Sequence, residues 1–159
     1  MPANAASSTA DRTITQHRIF DAPQELVWNA WTDPRHVDRW WGPNGFTTTT
    51  TEMEVRPGGL WRFTMHGPDG TDWPNLVTFI EVVEPERLVY DHGDGGVSGR
   101  PDFHVTVTFT DHAGTRTELT MESVFPTVEA AEAVKKFGAE ELGKQTLARL
   151  AEYLLQMQP

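Results

Sequence analysis

Apolar positions along the chain recur with two periods. Over residues 60–66, LWRFTMH alternates, with Trp61, Phe63 and Met65 on one side and Arg62, Thr64 and His66 on the other. FHVTVTF repeats the pattern strictly, placing Phe103, Val105, Val107 and Phe109 on one face. From Thr115 to Val124, Thr117, Leu119 and Met121 oppose Arg116, Glu118, Thr120 and Glu122. Less regular strand patterns run from Thr13 to Phe20, Phe46 to Arg56, Trp73 to Val83 and Arg87 to Asp91. Turns punctuate them at PGG (Pro57 to Gly59), GPDG (Gly67 to Gly70), EPER and DHAG, and the glycine-rich HGDGGVSGRP, His92 to Pro101, reads as the longest loop. Alternation this clean predicts an antiparallel sheet with one wet face.

Helical spacing appears in two places. In DAPQELVWNAW, Asp21 can cap, Pro23 suits a first turn, and Leu26, Val27, Ala30 and Trp31 form an apolar stripe. Asp33 and Pro34 interrupt it and start a second short helix carrying Val37, Trp40 and Trp41, which Gly42 and Pro43 stop. Near the C-terminus, Val134 and Phe137 point away from the direction shared by Leu147, Leu150 and Leu154, so one straight helix cannot serve both. Gly138 is the natural break between a short helix, Val128 to Lys136, and a long one, Ala139 to Gln156. The long stripe includes Ala139, Leu142, Gly143, Thr146, Leu147, Leu150, Tyr153 and Leu154. The expected organisation is a disordered lead over residues 1–12 and one α+β domain over 13–158, a curved antiparallel sheet of six to seven strands covered by the last helix.

Composition narrows the classes. The 159 residues suit one domain, and the net charge of −10 repels phosphate backbones, so no nucleic-acid partner is expected. With no cysteine, disulfides and thiolate chemistry are excluded. The N-terminal MPANAASSTADR lacks a signal-peptide core, and no run is long enough to span a membrane, so the expected compartment is the cytoplasm.

A curved sheet wrapped on one helix leaves space between them, and the two early helices would close one end of it. The strand side would offer Trp61, Phe63, Met65, Trp73, Val77, Phe103, Val105, Leu119 and Met121, with Asn75, Tyr90 and His104 as polar candidates. The helix side would offer Ala139, Leu142, Gly143 and Thr146. Small residues opposite large ones either interlock or leave an apolar pocket. In DRWWGP, Trp40 is assigned to packing between the short helices and the sheet and Trp41 to the cavity mouth; the alternative is that both are core plugs.

The runs RIFDAPQELVWNAWTDPRHVDRWWGPNGF, GGLWRFTMHGPDG, FIEVVEPERLVY and GAEELGKQTLARLAEYL resemble the START-like (SRPBCC) superfamily. Within it the chain is similar to the family named after the C-terminal domain of the activator of heat-shock-protein-90 ATPase, over Thr13 to Gln156. The resemblance implies a helix-grip fold with a hydrophobic cavity, and by precedent a homodimer. Family members often carry Gly-Trp in the last helix where this chain has Leu142-Gly143, so the resemblance implies a larger cavity here unless Trp73 or Phe137 refills it.

Candidate chemistry is sparse. The six histidines show no metal-ligand spacing, so no metal is expected, and no cofactor is implied. Ser98 in GVSGR departs from a nucleophile elbow. His104, which strict parity turns to solvent, and Asp72, at a strand end, are the acid–base candidates. Three readings result: binding of a small apolar molecule, a chaperone-ATPase interaction module, and a cyclase or hydrolase of an aromatic or lipid-like substrate.

Overall fold

The structure, a computed structural model, describes residues 9–97 and 102–158. Seven strands form one antiparallel meander in the order β1-β7-β6-β5-β4-β3-β2. They are β1 (Thr13–Phe20), β2 (Thr47–Met53), β3 (Leu60–His66), β4 (Asp72–Val83), β5 (Arg87–Gly93), β6 (Phe103–His112) and β7 (Arg116–Val124). Helices α1 (Gln24–Thr32) and α2 (Pro34–Val37) connect β1 to β2, and α3 (Val128–Lys136) and α4 (Ala139–Met157) follow β7. The sheet curves around α4, the helix-grip arrangement expected from the sequence. Within the expected N-terminal lead, residues 9–11 form a helical turn, and Arg12 donates to the Phe125 carbonyl at 2.7 Å.

Register converts strand alternation into one concave face. Trp61 pairs with Val77, Phe63 with Asn75, and Met65 with Trp73. Val77 continues to His92, Phe79 to Tyr90, and these to Phe103 and Val105 on β6. A bulge between Phe79 and Glu81 inserts one residue into β4, which keeps both Phe79 and Val82 on the concave side. Ile80, left outside, is 45% exposed. Leu147, Leu150 and Leu154 of α4 are buried against this face, as their spacing requires.

The break between the last helices falls at Gly138, whose φ of 87° is left-handed and suits glycine. The Thr127 hydroxyl caps α3 by accepting from the Ala130 amide at 3.0 Å. The second early helix is shorter than its apolar spacing predicts. It ends at Val37, and the chain continues to Trp41 through hydrogen-bonded turns onto the His36 and Val37 carbonyls. Side-chain demands explain the tightening: Asp38 accepts from the Thr50 amide at 3.0 Å, while the Trp40 indole donates to the Ala30 carbonyl at 3.0 Å.

Trp41 corrects an expectation. It is 6% exposed and lies in the core, not at a wet mouth. Its ring meets Trp31, Trp40, Trp61 and Phe63 edge-on, with centroids 5.6, 5.4, 4.9 and 6.0 Å away. Both tryptophans of DRWWGP are core plugs. The following turn is pinned to α4, where Arg149 donates to the Gly42 and Pro43 carbonyls at 2.8 and 3.0 Å.

Burial separates the tryptophans energetically. Trp41→Ala is expected to cost about 3–5 kcal/mol in urea unfolding, as large-to-small core truncations do. Trp73→Ala, at a site 44% exposed, should cost less than about 1 kcal/mol. Equal losses in the two variants would contradict the burial described.

Candidate functional site

The concave face is graded from wet to dry. At one end Trp73 is 44% exposed, and Met65, Asn75, His92, Phe103 and Met121 are partly buried. Beyond them Val77, Tyr90, Val105 and Leu119 are fully buried. Every apolar strand residue predicted for this face, from Trp61 to Met121, lies on this side of the sheet by register, as do Asn75 and Tyr90, whereas His104 does not.

His92 is the residue that pattern reading missed. It was expected to open the glycine-rich loop, but β5 runs on to Gly93. The signal was present: Leu88, Tyr90 and His92 alternate, which puts all three on one face. The His92 ring stacks on Phe103 with centroids 4.9 Å apart and meets Phe63 edge-on at 5.9 Å. Its Nε2 lies 2.8 Å from Asn75 Oδ1, and Asn75 Nδ2 donates to the Trp73 carbonyl at 3.0 Å. The carboxamide oxygen must accept, so Nε2 carries the proton and Nδ1 holds the lone pair. Burial pushes the His92 pKa down to about 4, so the ring is neutral at physiological pH.

Tyr90 lies deeper. Its ring is 6.0 Å from Phe79 and 6.3 Å from His92. Its hydroxyl is buried and has no hydrogen-bond partner among the described residues. Burial raises its pKa above the ordinary phenol value, so it remains a protonated donor. Leaving such a group unpaired costs about 1–3 kcal/mol.

The helix side differs from expectation. Gly143 does not roof the aromatic rings. It faces β1, where an added Cβ would stand 2.8 Å from Gln16 Nε2, and Gln16 also donates to the Glu140 carbonyl at 3.1 Å. Ala139 packs with a small satellite core of Ile14, Phe125 and Ala131. The small residues therefore permit close approach of α4 to β1. Leu142 is 37% exposed, and the Thr146 hydroxyl donates to the Leu142 carbonyl at 3.0 Å. Neither Trp73 nor Phe137 is buried, since Phe137 is 81% exposed. Leu142, Thr146 and Arg149 share the flank of α4 that reaches the Gly42 turn beside Met65.

The acid–base candidates lie elsewhere. His104 and Asp72 occupy the opposite, convex face, as strict alternation with Phe103 and Trp73 demands. His104 Nδ1 pairs with Asp91 at 2.8 Å and His66 Nδ1 with Asp72 at 2.7 Å, all four in solvent. Neither candidate joins Tyr90 and His92. Ser98, Gly99, Arg100 and Pro101 of the glycine-rich loop fall outside the described residues. Two depressions lie on the outer surface, away from this row. One of about 150 Å³ is lined by Arg39, Arg149, Glu152, Tyr153 and Gln156. The other, of about 530 Å³, is bordered by Asp21, Pro23, Gly114, Thr115, Leu155 and Gln158. Among the described residues no three His, Asp or Glu side chains converge on a metal position, and no helix is long and apolar enough to cross a membrane.

The lowered His92 pKa links stability to pH. An unfolded histidine titrates near 6.5, the folded one at about 4, so between these values the unfolded chain binds more protons. The stability present above the unfolded value is lost as pH falls towards the folded value. Acidification from about pH 7 to about pH 5 should destabilise the wild type by up to about 2 kcal/mol more than His92→Gln in parallel urea titrations. Parallel pH profiles for the two proteins would contradict the burial of this ring.

Comparison with known proteins places the fold in company. Among curated proteins none matches the chain. A solution structure of a protein from Arthrobacter aurescens is 29% identical, with TM-score 0.85, covering 93% of this chain and 88% of that one. A crystal structure of a protein from Mycobacterium smegmatis is 26% identical, with TM-score 0.82, covering 91% of each. A protein from Nitrosomonas europaea, 22% identical with TM-score 0.82 over 93% of this chain and 97% of that one, shares the fold. Residues 21–155 match the family described as activator of Hsp90 ATPase homolog 1-like protein, and the chain belongs to that family.

Proposed function

We propose that this domain binds a small, mainly apolar molecule on the concave face, entering from the end where Trp73, Met65 and Leu142 meet solvent. The observation that carries the reading is the graded row from Trp73 through Asn75 and His92 to Tyr90. It ends on a buried hydroxyl with no partner among the described residues. Sites for small molecules combine apolar and aromatic walls with a few placed polar groups, which matches the composition of this row. The buried tryptophan cluster at the opposite end supports approach from the Trp73 end. Met65 and Phe103 along this row, and Leu142 on the last helix, are not fully buried.

A second reading, regulation of a chaperone ATPase, draws support from the family description alone. Absence of any stimulation of the cognate chaperone's ATPase at saturating protein removes it. Enzymatic turnover gains nothing from the geometry, because His104 and Asp72 stand on the face away from the row.

N-phenyl-1-naphthylamine, an uncharged probe that fluoresces in apolar surroundings, tests the first reading. Wild type should enhance its emission with a Kd on the order of micromolar, typical of an apolar ligand of this size. Leu142→Glu places a carboxylate on the exposed rim and should weaken binding at least about fivefold while barely moving the melting temperature. No enhancement in wild type, or equal affinity in the variant, would overturn the location.

A further inference from the structure

The polar groups of the row have an order that the apolar-ligand reading does not use. Tyr90 and His92 are two residues apart on β5 and share the concave face, with ring centroids 6.3 Å apart. The Tyr90 hydroxyl is fully buried and makes no hydrogen bond among the described residues. His92 has spent its one N–H on Asn75 Oδ1, and Asn75 is held in turn by the Trp73 carbonyl. The remaining ring nitrogen, Nδ1, can only accept. The pair therefore offers one donor and one acceptor on the same strand face, with the rings of Phe63 and Phe103 beside the imidazole.

We infer that Tyr90 and His92 together read a hydroxyl group carried on an aromatic ring, the ligand oxygen accepting from Tyr90 Oη and its proton going to His92 Nδ1. This deepens the reading above and rests on it. A hydroxyl is the smallest group that both accepts and donates, so it satisfies both side chains at once. An ether or ketone satisfies Tyr90 alone. A carboxylate would meet a phenol but also the histidine lone pair, without a cation among these groups to balance it. Phe103 is stacked on both His92 and Phe125, and Phe63 on Trp61, so an aromatic body would meet these rings at their edges. Asn75 acts as the positioning residue, because its carboxamide fixes which imidazole nitrogen carries the proton.

Three probes of one shape test this by calorimetry at neutral pH: naphthalene, 2-methoxynaphthalene and 2-naphthol. Wild type should prefer 2-naphthol over naphthalene by about tenfold or more, the scale of a buried polar group gaining its partner. 2-Methoxynaphthalene, which accepts but cannot donate, should fall between them. Tyr90→Phe removes an unpaired hydroxyl, so it should fold at least as stably as wild type. It should lose most of the preference for 2-naphthol over naphthalene. Equal binding of naphthalene and 2-naphthol by wild type, or a preference that survives Tyr90→Phe, overturns the hydroxyl assignment and leaves the apolar site standing. Failure of all three probes to bind overturns both.

Discussion

Edge-to-face packing among Trp31, Trp40, Trp41 and Trp61 is the interaction on which the rest of the structure depends. Two of these rings belong to the turn after α2, one to α1 and one to β3, so a single cluster joins the early helices to the sheet. Polar ties reinforce it at its margin. The Trp61 indole donates to the Thr50 hydroxyl at 3.0 Å, and Thr50 donates in turn to Asp38. The Thr48 hydroxyl donates to the Trp41 carbonyl at 2.8 Å. Rings of this size contribute burial energy and a preferred mutual geometry together. The result is a solid core where the early helices meet the sheet.

Closing one end decides what the other can do. Met65, Phe103 and Met121 stay partly exposed, while the N-terminal half of α4 leans on β1 through Gly143 and Gln16. The same sheet face is thus sealed core at the tryptophans and more exposed near Trp73. Polar groups sit at the boundary between the two regimes. Tyr90 is on the dry side without a partner, and His92 is at the margin with one nitrogen committed. Burial keeps both neutral, which suits an uncharged ligand and disfavours a charged one.

Strand alternation made most of this legible in the sequence. Period-two spacing names the face of each residue, so Trp61, Phe63, Asn75, Phe103 and Leu119 could be grouped before any pairing was known. His92 escaped because Gly93, Gly95 and Gly96 follow it and drew the strand end forward by two residues. Helical spacing located the stripe of α4 but could not say which strand the small residues would meet. The partner of Gly143 is Gln16, a polar side chain on a strand with imperfect alternation, and nothing in a one-dimensional pattern ties the two together. The placement of Trp41 required knowing that Trp31 and Trp61 converge from separate elements. That convergence is a tertiary fact.

The proposed binding at the Trp73 end of the concave face is most directly tested by intermolecular nuclear Overhauser effects between 2-naphthol and the protein. Contacts from the probe to the side chains of Phe63, Tyr90 and Phe103, with none to Trp31 or Trp40, are the predicted pattern. Contacts confined to the outer grooves beside Tyr153 or Leu155, with silence at Tyr90, would contradict it.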